Sequence, residues 1–71
     1  MTKKNFILSF DIPRGMNTLR TRVFRALKRN NVKLIHESLW LSDNLNALME
    51  IALLIKRSGG TVRILEEKFV F

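Results

Sequence analysis

The stretch VKLIHESLWLS, Val32–Ser42, decides how this chain folds. It is long for a single strand, and it also divides into two strands with a bend near Glu37 and Ser38. Strict alternation sorts its side chains onto two faces. Val32, Leu34, His36, Ser38 and Trp40 form one, and Lys33, Ile35, Glu37, Leu39 and Leu41 the other. Each face carries apolar residues, so each is expected to be covered for part of its length.

On the N-terminal side lies NTLRTRVFRALKRNN. Leu19, Val23, Ala26 and Leu27 recur at helical spacing. Asn17 or Thr18 is placed to cap this helix by accepting from an orphan N–H. Lys28 and Arg29 suit the negative end of its dipole, and Asn30-Asn31 is a stop. Before it, FILSFDIP (Phe6–Pro13) reads as a strand that ends at the Pro13-Arg14-Gly15 turn.

On the C-terminal side, SDNLNALMEIALLIKRSGG reads as a second helix. Ser42 is the expected N-cap, Asp43 suits the first turn, and Gly59-Gly60 is the left-handed terminator. Leu45, Leu48, Met49 and Ala52 form its expected stripe. Ile51, Leu54 and Ile55 widen the stripe beyond one normal face, which calls for a second contact. TVRIL is another strand. KFVF is a short one, set off by a polar turn at Glu66-Glu67.

With Val32–Ser42 divided, strands and helices alternate as in a split βαβ fold. The expectation is one α+β domain, residues 1–71: a ferredoxin-like sandwich with an antiparallel sheet. Two helices cover one sheet face, and an extra short strand ends the chain. The other sheet face then needs a partner wherever it is apolar, and FILSF and LWL make it partly so.

The chain has 71 residues, 13 Lys and Arg against 6 Asp and Glu, a net charge of +7 and a pI near 11.0. A balance this basic points to a polyanionic partner, nucleic acid or an anionic surface. Cysteine is absent, which rules out disulfides and zinc–thiolate sites. The longest apolar run, Ile51 to Ile55, is far short of the ~20 residues a membrane span needs. FILSF is too short for a signal h-region. These features fit a soluble, cytoplasmic protein with no membrane partner. A chain below roughly 80 residues often needs reinforcement, and a homodimer would supply it.

The bases are concentrated. Arg14, Arg20, Arg22, Arg25, Lys28, Arg29 and Lys33 fall between Asp11 and Glu37 with no acid among them. On the first helix Arg22, Arg25, Lys28 and Arg29 lie opposite the apolar stripe, and Arg20 sits at its boundary. Solvated faces usually mix signs, because like charges at i,i+4 repel by a few tenths of a kcal/mol. Arg25 and Arg29 stand in that relation unopposed. Arginine offers a planar fork to phosphates, so this segment is the expected nucleic-acid contact, through the backbone and salt-dependent. A solvated face that serves only solubility is the plain alternative.

Asp11 closes the most apolar strand. A strand-end carboxylate beside a basic helix can hold Mg²⁺ against a phosphate, because Mg²⁺ needs only one or two carboxylates plus substrate oxygens. One chain supplies one such acid, and a two-fold dimer would bring two copies together. Alternatively Asp11 pairs with Arg14 or caps the turn before Pro13. His36, the only histidine, has no cysteine or carboxylate motif beside it and reads as a packed or exposed side chain. Trp40 reads as core or interface. There is no aromatic stacking motif of the RNA-recognition type, no glycine-rich phosphate loop, no zinc motif and no Ser–His–Asp arrangement.

Taken in order, FDIP, LRTRVFRALKRNNV, ESLWLS and TVRIL resemble the CRISPR-associated protein two family over nearly the whole chain. FDIP with LR and SLWLS also resembles the end domain of phenylacetate-type repressors, and the virulence-associated protein D endoribonucleases share that fold family. The resemblance implies a ferredoxin-like homodimer whose sheets pack face to face. Family members join the CRISPR integrase as the subunit that grips duplex DNA, and some are described as Mg²⁺-dependent endonucleases on RNA or DNA. By this resemblance Asp11 is the catalytic, metal-binding acid, Arg20 and Arg22 fall on the family's arginine pair, and Phe10 and Trp40 belong to the dimer interface. Phe10 stands where many members carry tyrosine, and PRGMNT replaces the usual charged turn. Two functions remain open: a metal-dependent endonuclease, and a non-enzymatic nucleic-acid-binding or regulatory module.

Overall fold

The computed structural model describes residues 4–36 and 38–68. Six elements follow one another: β1 (Phe6–Asp11), α1 (Asn17–Arg29), β2 (Lys33–His36), β3 (Leu39–Ser42), α2 (Leu45–Arg57) and β4 (Thr61–Glu66). Val32–Ser42 therefore divides into two antiparallel strands; Glu37, in the expected bend, lies outside the described residues.

The sheet order is β2-β3-β1-β4, and every neighbouring pair is antiparallel. It follows that β1 and β2 run parallel with β3 between them, and β3 and β4 run parallel with β1 between them. Each βαβ unit is thus split by a strand of the other, which is the expected ferredoxin-like α+β arrangement.

Register assigns the two faces. Leu8 lies opposite Trp40 and Ile64, and Phe10 opposite Val62, so these residues share the face that packs on the helices. α1 buries Leu19, Val23, Ala26 and Leu27, the stripe read from its periodicity. Each large apolar side chain placed there contributes about 1.5–3 kcal/mol. α2 turns a different part of its apolar arc inward. Ala47, Leu48, Ile51 and Ile55 are buried, Leu45 and Met49 are exposed, and Ala52 is half-buried. The arc is wider than one face, so periodicity identifies the helix without saying which sector meets the sheet.

Both helices end in the same way. Asn31 adopts φ 56 and its N–H donates to the Lys28 carbonyl, while the Val32 N–H reaches back to Leu27. In α2 Gly59, at φ 96, donates to Lys56, and Gly60 donates to Ile55. These are paired Schellman closures, each with a residue that tolerates the left-handed region. The starts differ from expectation. Met16 occupies the N-cap of α1 with no side-chain bond, so neither Asn17 nor Thr18 caps it. In α2 the cap is Asn44, whose Oδ1 accepts from the Ala47 N–H at 3.1 Å. Ser42 lies in β3 and accepts from the Asn44 N–H at 3.0 Å instead.

Two details of the sheet also depart from the alternation. A bulge between Leu34 and His36 sets His36 opposite Leu39, so His36 changes face relative to strict alternation. Glu66 belongs to β4, and the Glu67 N–H donates to the Asn5 carbonyl at 2.8 Å, so the pair continues the ladder with β1 rather than turning. Of the expected short C-terminal strand, Lys68 is not in a strand, and residues 69–71 lie outside the described residues.

Candidate nucleic-acid interface

α1 carries Arg22, Arg25, Lys28 and Arg29 on its exposed side, opposite the buried stripe. None of the four has an ion pair among the described residues, whereas Lys4 pairs with Glu66 at 3.6 Å. Acids are also absent from the first turn of the helix. The four cations are therefore held on a rigid element with their guanidinium and ammonium groups turned to solvent.

The other three bases fall elsewhere. Arg20 Nη2 donates to the Ile12 carbonyl at 3.4 Å, which ties this side chain to the end of β1. Arg14 is exposed in the turn after β1. Lys33 pairs in register with Leu41, which pairs with Ile7, and that row belongs to the uncovered side of the sheet. The run of bases that is continuous in sequence is thus divided in space.

Asp11 is also on the uncovered side. It alternates with Phe10 along β1 and lies opposite Thr61, one step from the Ser9–Arg63 pair. An open depression of about 680 Å³ is lined there by Ser9, Asp11, Ser38, Thr61 and Arg63, with Phe10 and Val62 at its wall. Its hydroxyls and guanidinium were not singled out from the sequence. The signal that finds them is the antiparallel matching of FILSFD to TVRILE, which sets every second residue of one strand beside every second residue of the other. No bond from Asp11 to Arg14 is found, and the turn is closed by Met16 N–H donating to the Pro13 carbonyl at 3.4 Å.

Phe10 and Trp40, the expected interface residues, lie on the helix-covered face instead. Phe24 of α1 packs between them, with ring centroids 6.4 Å from Phe10 and 5.9 Å from Trp40. Trp40 is only 9% exposed. The physical reason is register: Trp40 opposes fully buried Leu8, so it must point into the same core. The apolar side chains that strand pairing places on the uncovered face include Ile7, Leu39, Leu41 and Leu65.

Among the described residues no group of three or more His, Cys, Asp or Glu is placed to hold a metal ion. Among the described residues that line its depression Asp11 is the one carboxylate, and Arg63 lines the same depression. Among the described residues, no helix is long and apolar enough to cross a membrane. The chain matches no known family model, no curated protein and no solved structure.

Proposed function

We propose that this chain is a cytoplasmic, homodimeric nucleic-acid-binding protein that grips phosphate backbones with the exposed face of α1, as its resemblance to the CRISPR-associated protein two family implies. The observation that carries the proposal is the set Arg22, Arg25, Lys28 and Arg29, unopposed by any acid on one helix face. Like-charge crowding on a helix costs stability, and a phosphate partner offsets that cost. In the dimer the uncovered sheet faces meet through Ile7, Leu39, Leu41 and Leu65, and the CRISPR integrase is a candidate protein partner.

Metal-dependent cleavage of RNA or DNA is the enzymatic extension of this proposal. A two-fold dimer would strengthen such a site by bringing two Asp11 side chains together near its axis. Asp11 sits on the face that such a dimer would bury. Mg²⁺ held there would supply Lewis-acid stabilisation of a phosphate. Without cleavage, the protein is a binding or regulatory module.

The experiment is a fluorescence-anisotropy titration of labelled duplex DNA and single-stranded RNA across a salt series. With each of the four bases on one phosphate, log K falls against log salt with a slope of about −3 to −4 per protomer on duplex DNA. No binding at low salt leaves the basic face as a solubility device and ends the proposal.

A further inference from the structure

The exposed side of α1 is polar or basic with one exception. Phe24 is 36% exposed, and it is the only aromatic residue of the helix. Helical periodicity sets it on the flank of α1, between buried Leu27 and exposed Lys28. Arg20, one turn before, and Lys28, one turn after, share its row on the helix, and Arg25 follows it directly. A lone exposed apolar side chain is ordinary on a protein surface. One set among three cations is not, because a phenyl ring gains nothing from ammonium and guanidinium groups that are turned to water.

The ring is braced from the sheet side. Its centroid lies 6.4 Å from that of Phe10 and 5.9 Å from that of Trp40, with the planes tilted by 60° and 47°. One of its neighbours is held as well. The Nη2 of Arg20 donates to the Ile12 carbonyl at 3.4 Å, which leaves most of the five N–H donors of that guanidinium for a ligand. Ring and guanidinium therefore stand in place before anything binds, and little ordering remains to be done on contact.

The two chemistries together select the occupant. Cations alone hold phosphates and are indifferent to bases. An aromatic ring among them offers a second contact, because every base has a π-face that can stack on it. In a duplex the base faces are already stacked on one another. A single strand can turn a base out onto the ring while its phosphates reach the flanking cations. A second copy of this chain is disfavoured at the same place, since it also carries +7.

We propose that Phe24 is a base-stacking residue. Arg20, Arg25 and Lys28 hold the phosphates of a single strand, and one unpaired base lies against the ring between them. The inference rests on the reading that α1 binds nucleic acid, and it adds to that reading a preference for unpaired over paired bases.

The test compares three probes of equal length by fluorescence anisotropy at one low salt concentration. They are a labelled oligothymidine, the same sugar–phosphate strand with abasic sites in place of the bases, and a duplex DNA. Wild type is expected to bind the oligothymidine at least about fivefold more tightly than the abasic strand, the effect of stacking a single base. Phe24→Leu keeps the charge and most of the packing. It should close most of that gap and lower the ratio of single-strand to duplex affinity by a similar factor. Equal wild-type affinity for the two single strands overturns stacking and leaves phosphate binding by α1 in place. A gap that persists undiminished in Phe24→Leu puts the base elsewhere and also overturns it. Failure to bind any of the three probes removes the reading of α1 itself, and stacking with it. A circular-dichroism spectrum checks that Phe24→Leu is folded, and the comparison made on wild type does not depend on the variant.

Discussion

Gly60 is pressed against the main chain of Asp11: a Cβ added to it would lie 2.9 Å from the Asp11 carbonyl oxygen and 2.6 Å from Ile55 Cγ2. Backbone on one side and a fully buried side chain on the other leave no room to yield. The same residue closes α2 by donating to the Ile55 carbonyl at 2.9 Å. One glycine therefore joins the end of α2 to the strand end that carries the acid. Gly60→Ala is predicted to destabilise the fold by about 1–3 kcal/mol, the usual cost of overpacking. A denaturant titration giving a loss below about 0.5 kcal/mol contradicts the close approach.

Trp40 provides a check on which side of the sheet is the core. It is the only tryptophan, and Phe24 packs on it at 5.9 Å. Its fluorescence should be that of a buried indole and should not change on dilution across any dimer dissociation. Phe24→Ala should cost about 1–2 kcal/mol from lost burial and ring contact. It should also shift the emission to the red. An emission that tracks protein concentration would return Trp40 to an interface.

Asp11 separates binding from cleavage. Its carboxylate is exposed, on the side of the sheet away from the helices, while the four α1 bases face solvent on the helix side. Asp11→Asn should leave nucleic-acid affinity within about twofold, since a carboxylate that touches no phosphate contributes little to it. If the protein cleaves RNA or DNA in Mg²⁺, the asparagine variant should not. Cleavage that is equal in both proteins, or that survives EDTA, removes Asp11 from any catalytic role.

The basic face should show a trade between stability and binding. Arg25 and Arg29 repel at i,i+4, so the Arg25→Ala/Arg29→Ala variant should be as stable as wild type or more so by a few tenths of a kcal/mol. The same variant should flatten the salt slope of DNA binding by about 2. Lys33→Ala, on the uncovered face, should leave the slope nearly unchanged. A steeper loss with Lys33→Ala than with the pair would move the contact to the sheet.

Much of the architecture was legible in the residues. The α1 stripe, the division of Val32–Ser42 and the left-handed stops at Asn31 and Gly59 all follow from local patterns, and each local signal agrees with the whole. What was missed depends on pairing between distant segments. Trp40 reads as core or interface, and only register, which sets it opposite Leu8, decides for the core; register alone also shows that a bulge carries His36 across to Leu39. Only the packed layer shows which sector of the apolar arc of α2 meets the sheet. The candidate site divides in the same way. The α1 quartet is local and was read directly, whereas Arg63 reaches the Asp11 depression through strand pairing across most of the chain.

The most direct measurement is a two-dimensional amide NMR titration of the 8.3 kDa chain with a short duplex DNA and a single-stranded RNA. Binding through α1 predicts that the largest shifts fall on Thr21 to Arg29, with the strand amides of Ile7, Ser9, Leu39 and Leu41 little changed. Shifts gathered on those strand residues instead, or no shifts at low salt, would contradict recognition by the helix.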